Sequence, residues 1–263
     1  MSEHGEGARP PLKLDLNKAA QSLRLSLDKA GVAQDIKAEL IFDIDVSGSF
    51  EHEHEEGTTS QLIERLVPYG MVLDPDGAMD VFTFSDGRSN AHRVGTVTPK
   101  EAEGYILENV VDRVPGWKGG TSYSYVLEKN LQHFGWLPCE ADHETGLGAL
   151  ISRFFGGARK EPHYHEQKRS IVIFVTDGEN EASDERRTMN VLEASQSRGD
   201  HVYFLFIGAC EHNVDFKFLK TIAKKFANTG VVIIRDLEAF VEKSDDEISA
   251  ELLGPELISW LKS

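Results

Sequence analysis

Apolar positions recur along the chain with two alternating periods. From Leu14 to Ala30, Leu16, Ala19, Ala20, Leu23 and Leu27 fall three and four residues apart, which predicts an amphipathic helix closed by Gly31. The period then changes. Ala38 to Ile44 is a short apolar run ending in a polar, glycine-containing loop, the pattern of a parallel strand covered on both faces. Met79 to Phe84, Ile171 to Thr176, His201 to Ile207 and Gly230 to Ile234 repeat it, and Ala91 to Val97 reads as a short edge strand.

Helical stretches fill the intervals. Thr58 with Gln61 reads as a capping box for a helix to about Gly70. Thr98, Pro99 and Glu101 predict a helix to about Val111, Thr121 opens one to about Phe134, and Ser183 caps one through Arg198. Another lies near Asp215 to Phe226. Asp236, Ser244 with Glu247, and Pro255 start the last turns. Strands alternating with helices predict an α/β fold: a Rossmann-like, doubly wound, mainly parallel sheet with one antiparallel edge strand and helices on both faces. The expected organisation is a flexible tail over 1–12 and a single domain over 13–263, with an irregular, histidine-containing insertion at about 136–168.

Charge narrows the partners. The 263 residues carry a formal net charge of −16, with no basic block to offset it, so nucleic acid is not expected as a partner. Cys139 and Cys210 form no disulfide framework or Cys-x-x-Cys pair, which fits a cytoplasmic location. No window approaches the ~20 apolar residues of a membrane span, so membrane association is not expected.

The chemistry concentrates where the first strand ends, in Asp45-Val46-Ser47-Gly48-Ser49. A carboxylate and two hydroxyls at alternate positions of a tight loop can converge on one spot beyond the sheet, and hard oxygen donors of this kind suit Mg²⁺ or Ca²⁺. Gly119-Gly120-Thr121-Ser122 precedes a helix, and Thr176-Asp177-Gly178 ends the Ile171 strand. In an open parallel sheet, ligands sit outside the carboxyl ends of the strands where strand order reverses. Loops after the first and fourth strands flank such a crevice. Asp43, an acid inside the first strand, shares the parity of Asp45; buried without a partner it would cost several kcal/mol or bind a proton.

Asp45-x-Ser47-x-Ser49, Thr121 and Asp177 resemble the metal-ion-dependent adhesion site of von Willebrand factor type A domains. Gly57-Thr-x-x-Gln61 with Arg65 and Pro68, Leu73-Asp-Pro-Asp-Gly77 with Asp80 and Phe84, and Gly-Gly-Thr121-x-Tyr123 are similar to the TerF-like branch, associated with bacterial tellurium resistance and with phage or stress operons. The resemblance implies that Ser47, Ser49 and Thr121 ligate Mg²⁺ (or Ca²⁺ or Mn²⁺), with Asp45 and Asp177 holding it directly or through water. An open coordination position would then attract a carboxylate from a partner protein, making the chain a binding or scaffold domain with no catalytic residue. Phe50 departs from the family, which often carries Met there.

The alternative is a metal-dependent hydrolase or phosphatase using the same acids or the histidine-rich insertion, and it requires a base beside the metal. His52 and His54, within Glu51-His-Glu-His-Glu-Glu56, are the nearby candidates; the simpler reading of that stretch is a solvated acidic loop. His143, His163 and His165, with Glu161, Glu166 and Cys139, could ligate Zn²⁺, but they precede a strand and so belong to the opposite edge of a parallel sheet. Trp117 and Tyr123 flank Thr121 and serve either a partner contact or the core. Pro115 to Ser122 fails the phosphate-loop spacing, and no Gly-x-Ser-x-Gly elbow is present.

Overall fold

The computed structural model describes residues 14–139, 163–210 and 214–263. The tail expected over 1–12, His143 and Glu161 lie outside the described residues.

Six strands form one sheet in the order β3-β2-β1-β4-β5-β6: β1 (Glu39–Asp45), β2 (Met79–Phe84), β3 (His92–Val97), β4 (Ser170–Thr176), β5 (Val202–Ala209) and β6 (Thr229–Ile234). All neighbours are parallel except β2 and β3, which pair antiparallel. β1 lies between β2 and β4, so strand order reverses at the β1–β4 boundary, and the loops leaving their carboxyl ends bound the crevice expected there.

Alternation along β1 sorts the two cores. Leu40, Phe42 and Ile44 face helices α1 (Leu16–Lys29) and α3 (Thr58–Leu73), whose Leu23, Leu27, Leu62 and Leu66 join one apolar cluster. The C-terminal helices α8 (Leu237–Val241), α9 (Asp245–Leu252) and α10 (Pro255–Leu261) complete that layer through Phe240, Ile248 and Leu257. Ile41 faces the other way. There it joins Phe174, Phe204 and Phe206 under α5 (Ser124–His133), α6 (Ala182–Arg198) and α7 (Lys217–Lys225). Central strands covered on both faces must be apolar throughout, which is why these runs are nearly continuous in the sequence.

Several helix starts differ from expectation. Thr58 is the first residue of α3, not its cap: Gly57 takes the left-handed conformation (φ 85°), and its carbonyl accepts from the Gln61 N–H at 3.0 Å. The helix expected after Thr98 is reduced to a turn, with Thr98 Oγ1 donating to Glu101 Oε2 at 2.7 Å. Gly104 (φ 66°) then breaks the path, and only α4 (Tyr105–Asn109) follows. Glu181 rather than Ser183 sits at the α6 N-cap. At α9 the expected box forms, Ser244 and Glu247 bonding each other's backbone N–H.

Candidate metal centre

β1 delivers its last residue, Asp45, to the sheet edge fully buried. Its carboxylate is held on both sides: Oδ1 accepts from the Ser47 N–H at 2.8 Å and Oδ2 from Thr176 Oγ1 at 2.6 Å. The chain then turns through a single 3₁₀ turn, Gly48–Phe50, into the short helix α2 (Glu51–Glu55). This turn presents Ser47 Oγ 3.3 Å from Ser49 Oγ and 3.4 Å from Asp177 Oδ1, so the β1 loop and the end of β4 meet as the spacing predicts.

Thr121 arrives by a separate route. The strand-like segment before it pairs with the β1 loop, Gly48 N–H donating to Gly119 O at 3.1 Å and Lys118 N–H to Val46 O at 2.8 Å. Beyond it, the Thr121 and Asp177 loops are stitched together. Glu181 N–H donates to Thr121 O at 3.0 Å, Tyr123 N–H to Asn180 Oδ1 at 3.1 Å, and Tyr123 Oη to Gly178 O at 2.6 Å. Ser124 N–H reaches Asp184 Oδ2 at 3.0 Å. A Cβ added at Gly178 would meet Thr121 Oγ1 at 4.0 Å, which places that hydroxyl over the β4 loop. Asp45, Ser47, Ser49, Thr121 and Asp177 are thus brought to one edge of the sheet; Ser49 is exposed and the other four are buried.

The donor set fits a hard divalent cation. Burial, and secondly the negative charge of Asp177, push the Asp45 carboxyl up to about 7. Among the described residues no cationic side chain pairs with Asp45; Lys118, the nearby ammonium, is engaged by Glu51 at 2.5 Å. Two acids with three neutral hydroxyls, arranged with no internal counter-charge on Asp45, is a set that a divalent ion would relieve.

His54 corrects the solvated-loop reading. It is fully buried beneath the β1 loop, Nε2 2.8 Å from Asp45 O and Nδ1 2.8 Å from Thr59 Oγ1. Its ring lies 4.9 Å from that of Phe50 and 5.4 Å from that of Trp117. A backbone carbonyl only accepts, so Nε2 carries the proton and Nδ1 accepts from Thr59. Burial pushes the imidazole down to about 4. The α-helical spacing of Phe50 and His54 was the available signal, since residues four apart share a face. His52 is exposed and lies 3.3 Å from Glu56, one turn along α2.

Asp43 is fully buried one layer below Asp45, with Asn130 Nδ2 of α5 donating to its Oδ2 at 2.5 Å. Neither Asp43 Oδ1 nor Asn130 Oδ1 has a partner among the described residues. Burial holds this carboxyl well above the usual carboxylate range. Asn130 was not anticipated, although it interrupts the apolar stripe of Val126, Leu127, Leu131 and Phe134. Tyr123 belongs to the core, T-shaped against Phe174 at 4.8 Å. His163, His165 and Glu166 are exposed and lead into the start of β4, the edge opposite Asp45; His163 O accepts from the Cys139 N–H at 2.7 Å. Among the described residues, no helix is long and apolar enough to cross a membrane.

Sheet order, the antiparallel edge strand and the crevice between β1 and β4 are those of a von Willebrand factor type A (vWA) domain. The chain belongs to the vWA-TerF-like family, the vWA found in the TerF C terminus, whose family model matches residues 37–263. It is 23% identical over 251 residues to the Bacillus subtilis (strain 168) protein YcbR, itself described as uncharacterized, covering 95% of this chain and 86% of that protein. Among solved structures it resembles proximal thread matrix protein 1 from the mussel byssus (18% identity, TM-score 0.49, 80% of this chain and 48% of that one). It also resembles the manganese-loaded TRAP protein of Plasmodium vivax (16% identity, TM-score 0.45, 81% and 75%). The chain spans about half the length of the mussel protein.

Proposed function

We propose that this chain is a divalent-metal-dependent binding or scaffold domain. Ser47, Ser49 and Thr121 would hold Mg²⁺ (or Ca²⁺ or Mn²⁺ by availability), with Asp45 and Asp177 contributing directly or through water. Three neutral hydroxyl ligands leave much of the ion's charge uncompensated, so the bound metal would recruit a carboxylate from a partner protein. The observation that carries this reading is the meeting of the β1 and β4 loops at Ser47 and Asp177, beside a buried Asp45 pushed up to about 7.

The hydrolase alternative requires a base beside the metal. His54 has both nitrogens committed, to Asp45 O and Thr59 Oγ1, and His52 lies against Glu56, so neither supports it. Tellurite resistance, a stress response or a phage-related process is proposed as the setting, on family membership alone.

A pull-down of the full chain in Mg²⁺, in chelator, and with Asp45→Ala tests the proposal. Partners should be recovered in Mg²⁺ and lost in the other two conditions. Equal recovery in all three removes metal-dependent docking, and phosphoester turnover that requires His52 or His54 would establish the enzyme instead.

A further inference from the structure

The carboxyl edge of the sheet carries a cationic cluster beyond the β4 loop. Arg235 directly follows β6, and Asp215 and Lys217 stand at the entry to α7. Lys220 Nζ donates to Asp215 Oδ1 at 2.8 Å, Lys217 Nζ lies 3.8 Å from Asp215 Oδ2, and Arg235 Nη1 donates to Val214 O at 2.8 Å. Lys220 first, with the charges of Lys217 and Arg235 after it, holds the Asp215 carboxyl below the usual carboxylate range, so three cations face one acid. The side chains of Lys217 and Lys220 are 83% and 40% exposed, and Arg235 is exposed.

The backbone holds this cluster in place. Phe216, between Asp215 and Lys217, takes the left-handed conformation (φ 47°) with its ring fully buried, and a Cβ at Gly208 of β5 would meet that ring at 2.9 Å. A bulky residue keeps such a conformation only where its surroundings fix it. Glu179, two residues after Asp177, ties the cluster to the metal loop: its Oε1 accepts from the Lys217 N–H at 2.5 Å and its Oε2 from the Phe218 N–H at 3.2 Å. That carboxylate is thereby committed to the start of α7. α7 carries four lysines and no acid, in a chain whose formal net charge is −16. Its Phe218, Leu219 and Ile222 are packed in the core, so the lysine face is the one a partner meets.

We propose that Lys217, Lys220 and Arg235 receive a second carboxylate from the protein partner whose first carboxylate docks at the metal edge, so that the partner presents two acids a few residues apart in one extended segment. This rests on the metal-dependent docking proposed above, and the spacing on strand geometry. Strands lie about 4.8 Å apart, which puts the ends of β5 and β6 roughly 7–12 Å from the β1–β4 crevice, the reach of about two to four extended residues at ~3.3 Å each. A carboxylate suits the cluster because ammonium and guanidinium groups both bond it with charge assistance. A long polyanion such as nucleic acid would meet the chain's negative charge along its whole length, whereas a short acidic segment touches this edge alone. Asp215 is the internal acid with which the incoming carboxylate competes.

The test titrates the full chain, in Mg²⁺ and separately in chelator, with acetyl-Glu-Ala-Ala-Asp-Ala-Ala-Glu-amide and with the peptide in which Gln replaces both Glu. Flanking acids on both sides cover either chain direction, and amide NMR shifts at Lys220 and Arg235 report the location. In Mg²⁺ the Glu peptide should bind about fivefold tighter than the Gln peptide, the upper end for an exposed ion pair, and the ratio should fall toward one in about 0.5 M salt. The chain's net charge alone would favour the Gln peptide. Lys220→Gln and Arg235→Gln, both surface changes, should each reduce the ratio to about twofold, and Asp215→Asn should tighten the Glu peptide about twofold. A ratio retained in chelator, with the same shifts, upholds the cluster and removes the metal reading. Mg²⁺-dependent binding with equal affinity for the two peptides keeps the metal reading and overturns the cluster. An unchanged ratio in the variants, shifts elsewhere, tighter binding of an oligonucleotide of matched charge, or no binding of either peptide also overturns it.

Discussion

His54 should make this fold sensitive to acid in a way that can be isolated by one substitution. The imidazole is fully buried, donates to Asp45 O and accepts from Thr59 Oγ1, so it joins the end of β1 to the start of α3 in the neutral form that burial favours. Its pKa falls from 6.5 to about 4 on folding, chiefly through burial. Between those values the unfolded chain binds a proton that the folded chain does not, so this contribution is complete above pH 6.5 and is lost as pH falls toward 4. At ~1.4 kcal/mol per pH unit the loss approaches roughly 3 kcal/mol. His54→Gln retains an amide donor for Asp45 O but cannot titrate. Near neutral pH the variant should be less stable by about 1–3 kcal/mol, from the lost Thr59 bond and poorer packing against Phe50 and Trp117. Urea unfolding of both chains from about pH 7.5 to about pH 4.5 should show that gap closing by ~2–3 kcal/mol as pH falls. Parallel pH profiles would refute the argument that a neutral, buried His54 is the clamp.

Three further outcomes can be checked in the same preparations. Adding Mg²⁺ should raise the melting temperature, by ~2.7 kcal/mol of stability when the ion is at about 100 times its Kd, and Asp45→Asn should abolish most of that gain in a thermal-shift series. Asp43→Asn should stabilise the chain near neutral pH by ~1–3 kcal/mol, because an amide can donate to the unpartnered Asn130 Oδ1 and no longer needs a proton; chemical denaturation showing a loss would contradict the protonated-acid reading. Gly70→Ala should destabilise, by ~1–3 kcal/mol in denaturant titration, against the ~1 kcal/mol gain helix propensity alone would give. Its methyl would lie 2.7 Å from Ala78 O.

Legibility followed the range of each interaction. Apolar runs located the strands because a strand covered on both faces has no polar choice. Asp45-x-Ser47-x-Ser49 was legible because its members lie in one turn. The failures were local cues overridden by conformation: Thr58 looked like a cap until Gly57 took the left-handed position, and the helix expected from Thr98 is only a turn, with α4 starting after the left-handed Gly104. Alternating Glu and His from Glu51 to Glu56 read as solvated because charge dominated composition, although Phe50 and His54 share one helical face.

The sequence by itself determined the α/β class, the two-sided burial of the sheet and the types of donor at its edge, since periodicity and residue chemistry are properties of short segments. Only the tertiary structure decided which distant groups meet. Ser47 faces Asp177 because β1 and β4 are neighbours at the order reversal, and Asp43 finds Asn130 because α5 packs over that layer. Glu64 meets the Gly104 N–H because α4 packs against α3. Such contacts depend on strand order and helix packing, which no local pattern encodes.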